Sequence, residues 1–154
     1  MKFLKLNILL YSFFIANSIT AQNATGIIGK WHNEDEGAIT KCYFFEHKGS
    51  LYGLVYYYQE GGEKFSLEKE LKAYEVENIE DLSSADIFQY LSEYVWFKDF
   101  KKDGNEWSGK FIYTEKGETS DYESALKLIN KEELKVSFKY WGIEDSGIWR
   151  RDNI

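Results

Sequence analysis

From Gly29 onward the chain repeats one unit: a run of aromatic and β-branched residues of strand length, then a short turn of glycine, asparagine or acids. The turn signals are Glu34-Asp35-Glu36-Gly37, His47-Lys48-Gly49-Ser50, Glu60-Gly61-Gly62, Asp103-Gly104-Asn105, Glu115-Lys116-Gly117-Glu118, Asn130-Lys131-Glu132 and Gly142-Ile143-Glu144-Asp145. Between them the residues favour strands, near 27–33, 38–47, 50–59, 93–102, 105–114, 119–129, 133–141 and 146–152. Short, regular connections leave no room for crossover helices, so the pattern predicts an all-β, eight-stranded antiparallel up-and-down barrel or a sandwich and argues against a βαβ fold.

The alternation has a period of two. Trp107, Gly109, Phe111 and Tyr113 share one face of a strand, against Ser108, Lys110 and Thr114. Tyr122, Ser124, Leu126 and Leu128 oppose Asp121, Glu123 and Lys127; Leu134, Val136, Phe138 and Tyr140 oppose Lys135, Ser137 and Lys139. One wet face and one dry face is the signature of a single barrel wall. The strand from Leu51 to Gln59 departs from it, because both its faces are apolar or aromatic. It lies under a lid or against a partner.

The stretch from 61 to 92 breaks the rhythm. Acids crowd it, and Asp81-Leu82-Ser83-Ser84 offers helix-capping groups ahead of Ile87, Phe88 and Leu91 at helical spacing. The expectation is a partly helical insertion between strands three and four. It acts either as a lid over the barrel mouth or as a solvated excursion closing one end.

The N-terminus has a different character. Lys2 and Lys5 precede the apolar run Ile8–Ile15, and Ile19-Thr20-Ala21 ends on a small residue. That order is a secretory signal peptide, residues 1–21, leaving 22–154 as one exported domain, periplasmic or secreted, with no membrane anchor. The run is too short to span a bilayer, which takes about 20 residues. Removing Lys2 and Lys5 takes two cations and no acid from a balance of 19 Lys+Arg against 26 Asp+Glu, so the charge becomes more negative than the −7 of the whole chain. Such a surface repels phosphate backbones and anionic headgroups, which argues against nucleic-acid partners. Cys42 is the only cysteine, so no internal disulfide forms; beside Tyr43, Phe44 and Phe45 it reads as a small core residue.

Gly29-Lys30-Trp31 opens the first strand and Arg150-Arg151 sits on the last. The pairing resembles the calycin or lipocalin-like barrels, in which a Gly-x-Trp tryptophan plugs the closed end beneath an arginine of the final strand. That likeness implies a structural plug of Trp31, Trp149 and Arg151. The run Trp107-Ser108-Gly109-Lys110-Phe111-Ile112-Tyr113, with Gly117, Tyr122, Leu126, Leu134-Lys135-Val136 and the ending Trp149-Arg150-Arg151, is similar to a family of small exported bacterial proteins, domain of unknown function 2147. The resemblance spans Gly29 to Arg151. It departs where Thr114-Glu115 replaces the family's Asp-Pro and where the acidic 61–92 stretch replaces an Asn-Pro segment. It implies a barrel and export, and it brings no activity.

No phosphate loop, nucleophile elbow, Cys-x-x-Cys or His-Glu-x-x-His spacing occurs, so no catalytic residue, metal site or cofactor is assigned. His32-Asn33-Glu34-Asp35-Glu36 gathers hard ligands but lacks the spacing of a calcium loop, and acidic turns look the same without metal. The aromatics are more informative: 12 Tyr, 11 Phe and 5 Trp. An eight-stranded barrel has an interior just wide enough for packed side chains or one small ligand. The rings therefore either fill the barrel or wall a cavity for a small, partly apolar molecule, with Tyr52, Tyr56, Trp96, Trp107, Phe111 and Tyr113 as the candidate wall. The first reading is thus an exported, non-enzymatic binding protein for such a ligand. The second is a cell-envelope interaction module with a filled barrel, whose contact surface is the third strand and the insertion.

Overall fold

The computed structural model describes residues 26–153. The expected export segment, residues 1–21, lies outside them. Nine strands form: β1 Gly29–Asp35, β2 Ala38–His47, β3 Ser50–Glu60, β4 Glu63–Ser66, β5 Val95–Asp103, β6 Glu106–Glu115, β7 Glu118–Leu128, β8 Glu133–Tyr140 and β9 Ile143–Arg151. Eight of them close a ring in the order β1-β2-β3-β5-β6-β7-β8-β9 and back to β1, every neighbour antiparallel. The barrel expected from the sequence is present. β4, which falls within the expected insertion, is a short hairpin partner of the outer end of β3.

The ring is closed unevenly. β1 and β2 pair along seven positions from Gly29↔Phe44 to Asp35↔Ala38, whereas β1 and β9 pair only at Trp31↔Arg151 and His32↔Arg150. Beyond that point the seam is held by the Asn33 side-chain amide, which donates to the Ile148 carbonyl at 3.2 Å. The wall therefore has a slit on the side of the β1–β2 and β8–β9 hairpins.

Three β-bulges set which side chains face inward. Thr40 pairs with Tyr58 and Cys42 with Val55, so one extra residue enters β3 between them and the alternation flips. Leu51 and Val55 point into the barrel, and after the bulge Tyr58 does so. On β5, Val95 pairs with Leu54 and Phe97 with Gly53, which leaves Trp96 extra. A second β5 bulge holds Asp99 at φ 55° and turns Phe100 back inside. Gly109 on β6 makes this possible: a Cβ there would stand 2.6 Å from both the Lys98 carbonyl oxygen and the Phe100 ring.

Two cores result. The inner one fills the lower half of the barrel with Trp31, Cys42, Phe44, Leu51, Phe97 and Phe100, among others. At its base Trp31 donates its indole N–H to the Ile27 carbonyl at 2.7 Å, and the Arg151 guanidinium lies 3.9 Å from the Trp31 ring centroid. Arg151 also donates to the Gly26 and Ile28 carbonyls at 2.7 and 2.9 Å and to that of Lys131 at 3.2 Å. Trp31 and Arg151 thus occupy the plug position. Trp149 lies one layer higher, its ring edge-on to Phe97 at 5.8 Å.

The second core is outside the barrel. Residues 67–94 carry α1 Glu68–Ala73, α2 Ser84–Tyr90 and two short 3₁₀ turns. α2 is capped by the Ser83 hydroxyl, which accepts from the Asp86 N–H at 3.1 Å. Ile79, Ile87 and Leu91 bury themselves against Tyr43, Phe45 and Leu54 on the outer face of β2 and β3. The apolar outer face of β3 is therefore covered by the chain's own helices, and the helical segment lies along the wall rather than over the mouth. Among the described residues no helix is long and apolar enough to cross a membrane.

Candidate functional site

The upper half of the barrel is open. A cavity of about 690 Å³ enters between the β1–β2, β3–β4, β6–β7 and β8–β9 hairpins. Its side walls are the rings of Tyr58, Phe65, Trp96, Phe111, Tyr113 and Tyr122, and its floor includes Phe138 and Trp149. Trp96 sits among these rings, with centroids at 5.6 Å from Phe65 and Tyr113 and at 6.1 Å from Tyr58 and Phe111. Its indole N–H donates to the Glu93 carbonyl at 3.2 Å, which fixes the ring on the cavity wall. Below, Phe97 meets Phe111 at 4.8 Å and Phe138 at 6.2 Å, sealing the cavity from the inner core.

Thr40, Thr114 and Ser146, with Tyr58, Tyr113, Tyr122 and Tyr140, contribute hydroxyls; Asp35, Glu63 and Asp145 contribute carboxylates near the rim. Several donors are already committed. The Asn33 amide donates to Ile148, the Tyr58 hydroxyl donates to Glu60, and the hydroxyls of Thr114 and Thr119 pair at 3.0 Å. At the rim the β8–β9 hairpin presents Tyr140, Trp141 and Ile143 to solvent. Trp141 is 86% exposed and holds φ 51° in the turn before Gly142, a left-handed position that a bulky side chain occupies at a cost.

Of the six expected wall residues, the structure brings Trp96, Phe111 and Tyr113 together on the cavity. Trp107 is on the same face of β6 but packs lower, against the inner core. Tyr52 and Tyr56 are not on the cavity. They lie on the outer face of β3 beneath the helices, because the alternation of β3 flips only after them. Tyr52 stacks edge-on to Phe88 at 4.9 Å and donates to Asp99 at 2.5 Å, a hydrogen bond that raises its pKa to about 12. Tyr56 donates to Asp152 at 2.8 Å, and burial followed by that bond pushes its phenol well up. Asp152 also receives Lys41 at 3.2 Å; burial alone would raise its carboxyl, but the Tyr56 and Lys41 contacts outweigh it and lower it.

Sequence reasoning missed Tyr58, Phe65, Phe138 and Tyr122 as wall residues. Phe138 and Tyr122 were legible, since both share the dry face of their strands. Tyr58 depends on the β3 bulge, which carries no clear sequence signal, and Phe65 on β4, a short strand within the expected insertion just after the turn Glu60-Gly61-Gly62. Neither histidine lines the cavity. His32 alternates with the inward Trp31 and Asn33, and the ring of His47 lies against α2, 2.9 Å from the Ser84 hydroxyl. Among the described residues no three His, Cys, Asp or Glu side chains gather as a metal site. Cys42 is buried in the inner core, where burial holds its thiol well above the ordinary value.

Fold and site together define a closed eight-stranded antiparallel barrel, plugged and packed at one end, with an aromatic cavity opening at the other. The chain matches no family model, and no curated protein and no solved structure matches it.

Proposed function

We propose that this is an exported, soluble, lipocalin-like binding protein that encloses one small, partly apolar molecule. The observation that carries the reading is the cavity itself. At about 690 Å³ it falls in the range of small-molecule sites, roughly 300–1,000 Å³. A barrel meant only as a scaffold has no use for an upper half left open and walled with rings. Aromatic area supplies the affinity and the hydroxyls set orientation, so binding works by enclosure rather than by chemistry on the ligand. Export rests on the order of the first 21 residues. The likeness to domain of unknown function 2147 belongs to the same proposal and stands on the Trp107–Tyr113 run and the Trp149-Arg150-Arg151 ending.

The interaction-module reading loses the third-strand part of its chosen surface, because Leu54 and Val95, on the outer faces of β3 and β5, are buried beneath the helical segment; it keeps the exposed side of the insertion. The test is titration with Nile red, a neutral apolar dye. Saturable one-to-one binding with a blue-shifted emission, abolished by Thr40→Trp at the cavity wall, supports enclosure. Absence of binding, or binding unchanged in Thr40→Trp, refutes it.

A further inference from the structure

The charge of the cavity narrows the ligand further. Among the described residues no lysine, arginine or histidine lines it, while Asp35, Glu63 and Asp145 do. Lys116, on the β6–β7 hairpin, is set against Glu63 at 4.0 Å. Asp35 and Asp145 have no cation within ion-pair distance among the described residues, and they stand on the two strands that border the slit between β1 and β9. An anionic headgroup entering between β1 and β9 meets the carboxylates of Asp35 and Asp145, and the Lys116 cation at the mouth is set against Glu63. The Tyr58 hydroxyl, the Trp96 indole and one N–H of the Asn33 amide already donate within the protein, so the donors left on the lining are neutral, mainly hydroxyls.

The rings point the same way. An aromatic face is the negative pole of a quadrupole and attracts an alkylammonium group, most strongly where water is excluded. Trp96 lines the cavity, and Phe111, Tyr113 and Tyr122 form a continuous aromatic wall beside it, with successive centroids at 5.5 and 6.5 Å. Apolar floor, electron-rich walls and an acidic rim are one ordered gradient from bottom to mouth.

We propose that the ligand is an amphipathic organic cation: an amine or quaternary ammonium whose apolar part rests on the Phe138 and Trp149 floor. Its nitrogen lies among the wall rings, facing Asp35 and Asp145. This assignment rests on the cavity being a ligand site, and the test separates the two claims.

The purified protein is titrated calorimetrically at low ionic strength with decyltrimethylammonium, decanol and decanoate, which share a tail and differ in charge. The cation is expected to bind on the order of tenfold more tightly than decanol, with decanoate weakest. In Asp35→Asn/Asp145→Asn the advantage of the cation should shrink severalfold while decanol binding stays. In Glu46→Gln/Asp103→Asn, which removes two exposed acids far from the mouth, it should persist. Decanoate binding as tightly as the cation, or a cation advantage that follows the distant pair instead of the rim pair, overturns the cationic assignment and leaves enclosure standing. If none of the three binds, both claims fall.

Discussion

Replacing Arg151 tests whether the closed end is held as the geometry indicates. The guanidinium makes two part-buried hydrogen bonds, to Gly26 and Ile28, and covers the Trp31 ring at 3.9 Å. A hydrogen bond from a charged donor is worth about 1.5 kcal/mol at the low end, so the two contribute about 3 kcal/mol. The cation–π contact adds about 1 kcal/mol at a partly desolvated site. The more exposed bond to Lys131 is left out of the sum. Arg151→Ala should therefore cost about 4 kcal/mol, a large share of the 5–15 kcal/mol typical of a domain. With a urea slope of about 2 kcal/mol per molar, the unfolding midpoint should fall by about 2 M. Arg151→Lys keeps the charge but loses the planar fork, and should fall about half as far. Gly29→Ala is an independent check, because Gly29 sits at φ 126° and a Cβ there would stand 2.8 Å from the Arg151 Nη1. Equilibrium urea unfolding followed by tryptophan fluorescence measures all three. A midpoint shift below about 0.5 M for Arg151→Ala, or an Arg151→Lys variant as stable as the parent, would refute the plug account.

Gly109→Ala should destabilise by about 2 kcal/mol or more in the same assay, because the added Cβ collides with backbone at Lys98 and with the Phe100 ring. Trp141→Asn should instead stabilise by about 1 kcal/mol by relieving the left-handed strain at the β8–β9 turn; a loss of stability would show that the exposed ring packs in solution. Acid unfolding should expose Asp152: with its folded carboxyl lowered, the stability it contributes is present above the ordinary carboxylate value and lost as pH falls through the folded one. Asp152→Asn should flatten that part of a stability–pH curve, and an unchanged curve would contradict the assignment. At the alkaline end the buried Cys42 thiol acts in the opposite sense, contributing stability below the ordinary thiol value that is lost as pH rises. Thiol reagents should therefore leave the native protein unmodified at neutral pH and label it in urea.

The strands of the second half were legible because nothing interrupts them. From β6 to β8 the alternation runs unbroken, and the side chains assigned to the dry face point inward: Phe111 and Tyr113 onto the cavity, Leu126, Leu134 and Val136 into the core. The first half was harder for two physical reasons. A bulge flips every later side chain, so the Tyr56-Tyr57-Tyr58 run gives no warning that Tyr56 faces out and Tyr58 faces in. The outer face of β3 is buried too, beneath the helices of the insertion, which the sequence left open as a lid over the mouth or a solvated excursion, so burial there did not mean barrel interior. Whether the rings fill the barrel or wall a cavity was not legible. The same rings can fill a barrel or line one, and the choice depends on the small side chains at Thr40, Ser146 and Gly147 on the other wall, which hold back space the rings leave.

Native mass spectrometry of the protein, purified gently from the cells that make it, tests enclosure most directly. The expected spectrum shows a monomer carrying one discrete noncovalent mass, lost on denaturation and missing from Thr40→Trp. A bare monomer, unchanged after exposure to a cell extract containing lipids and amines, would contradict the central claim.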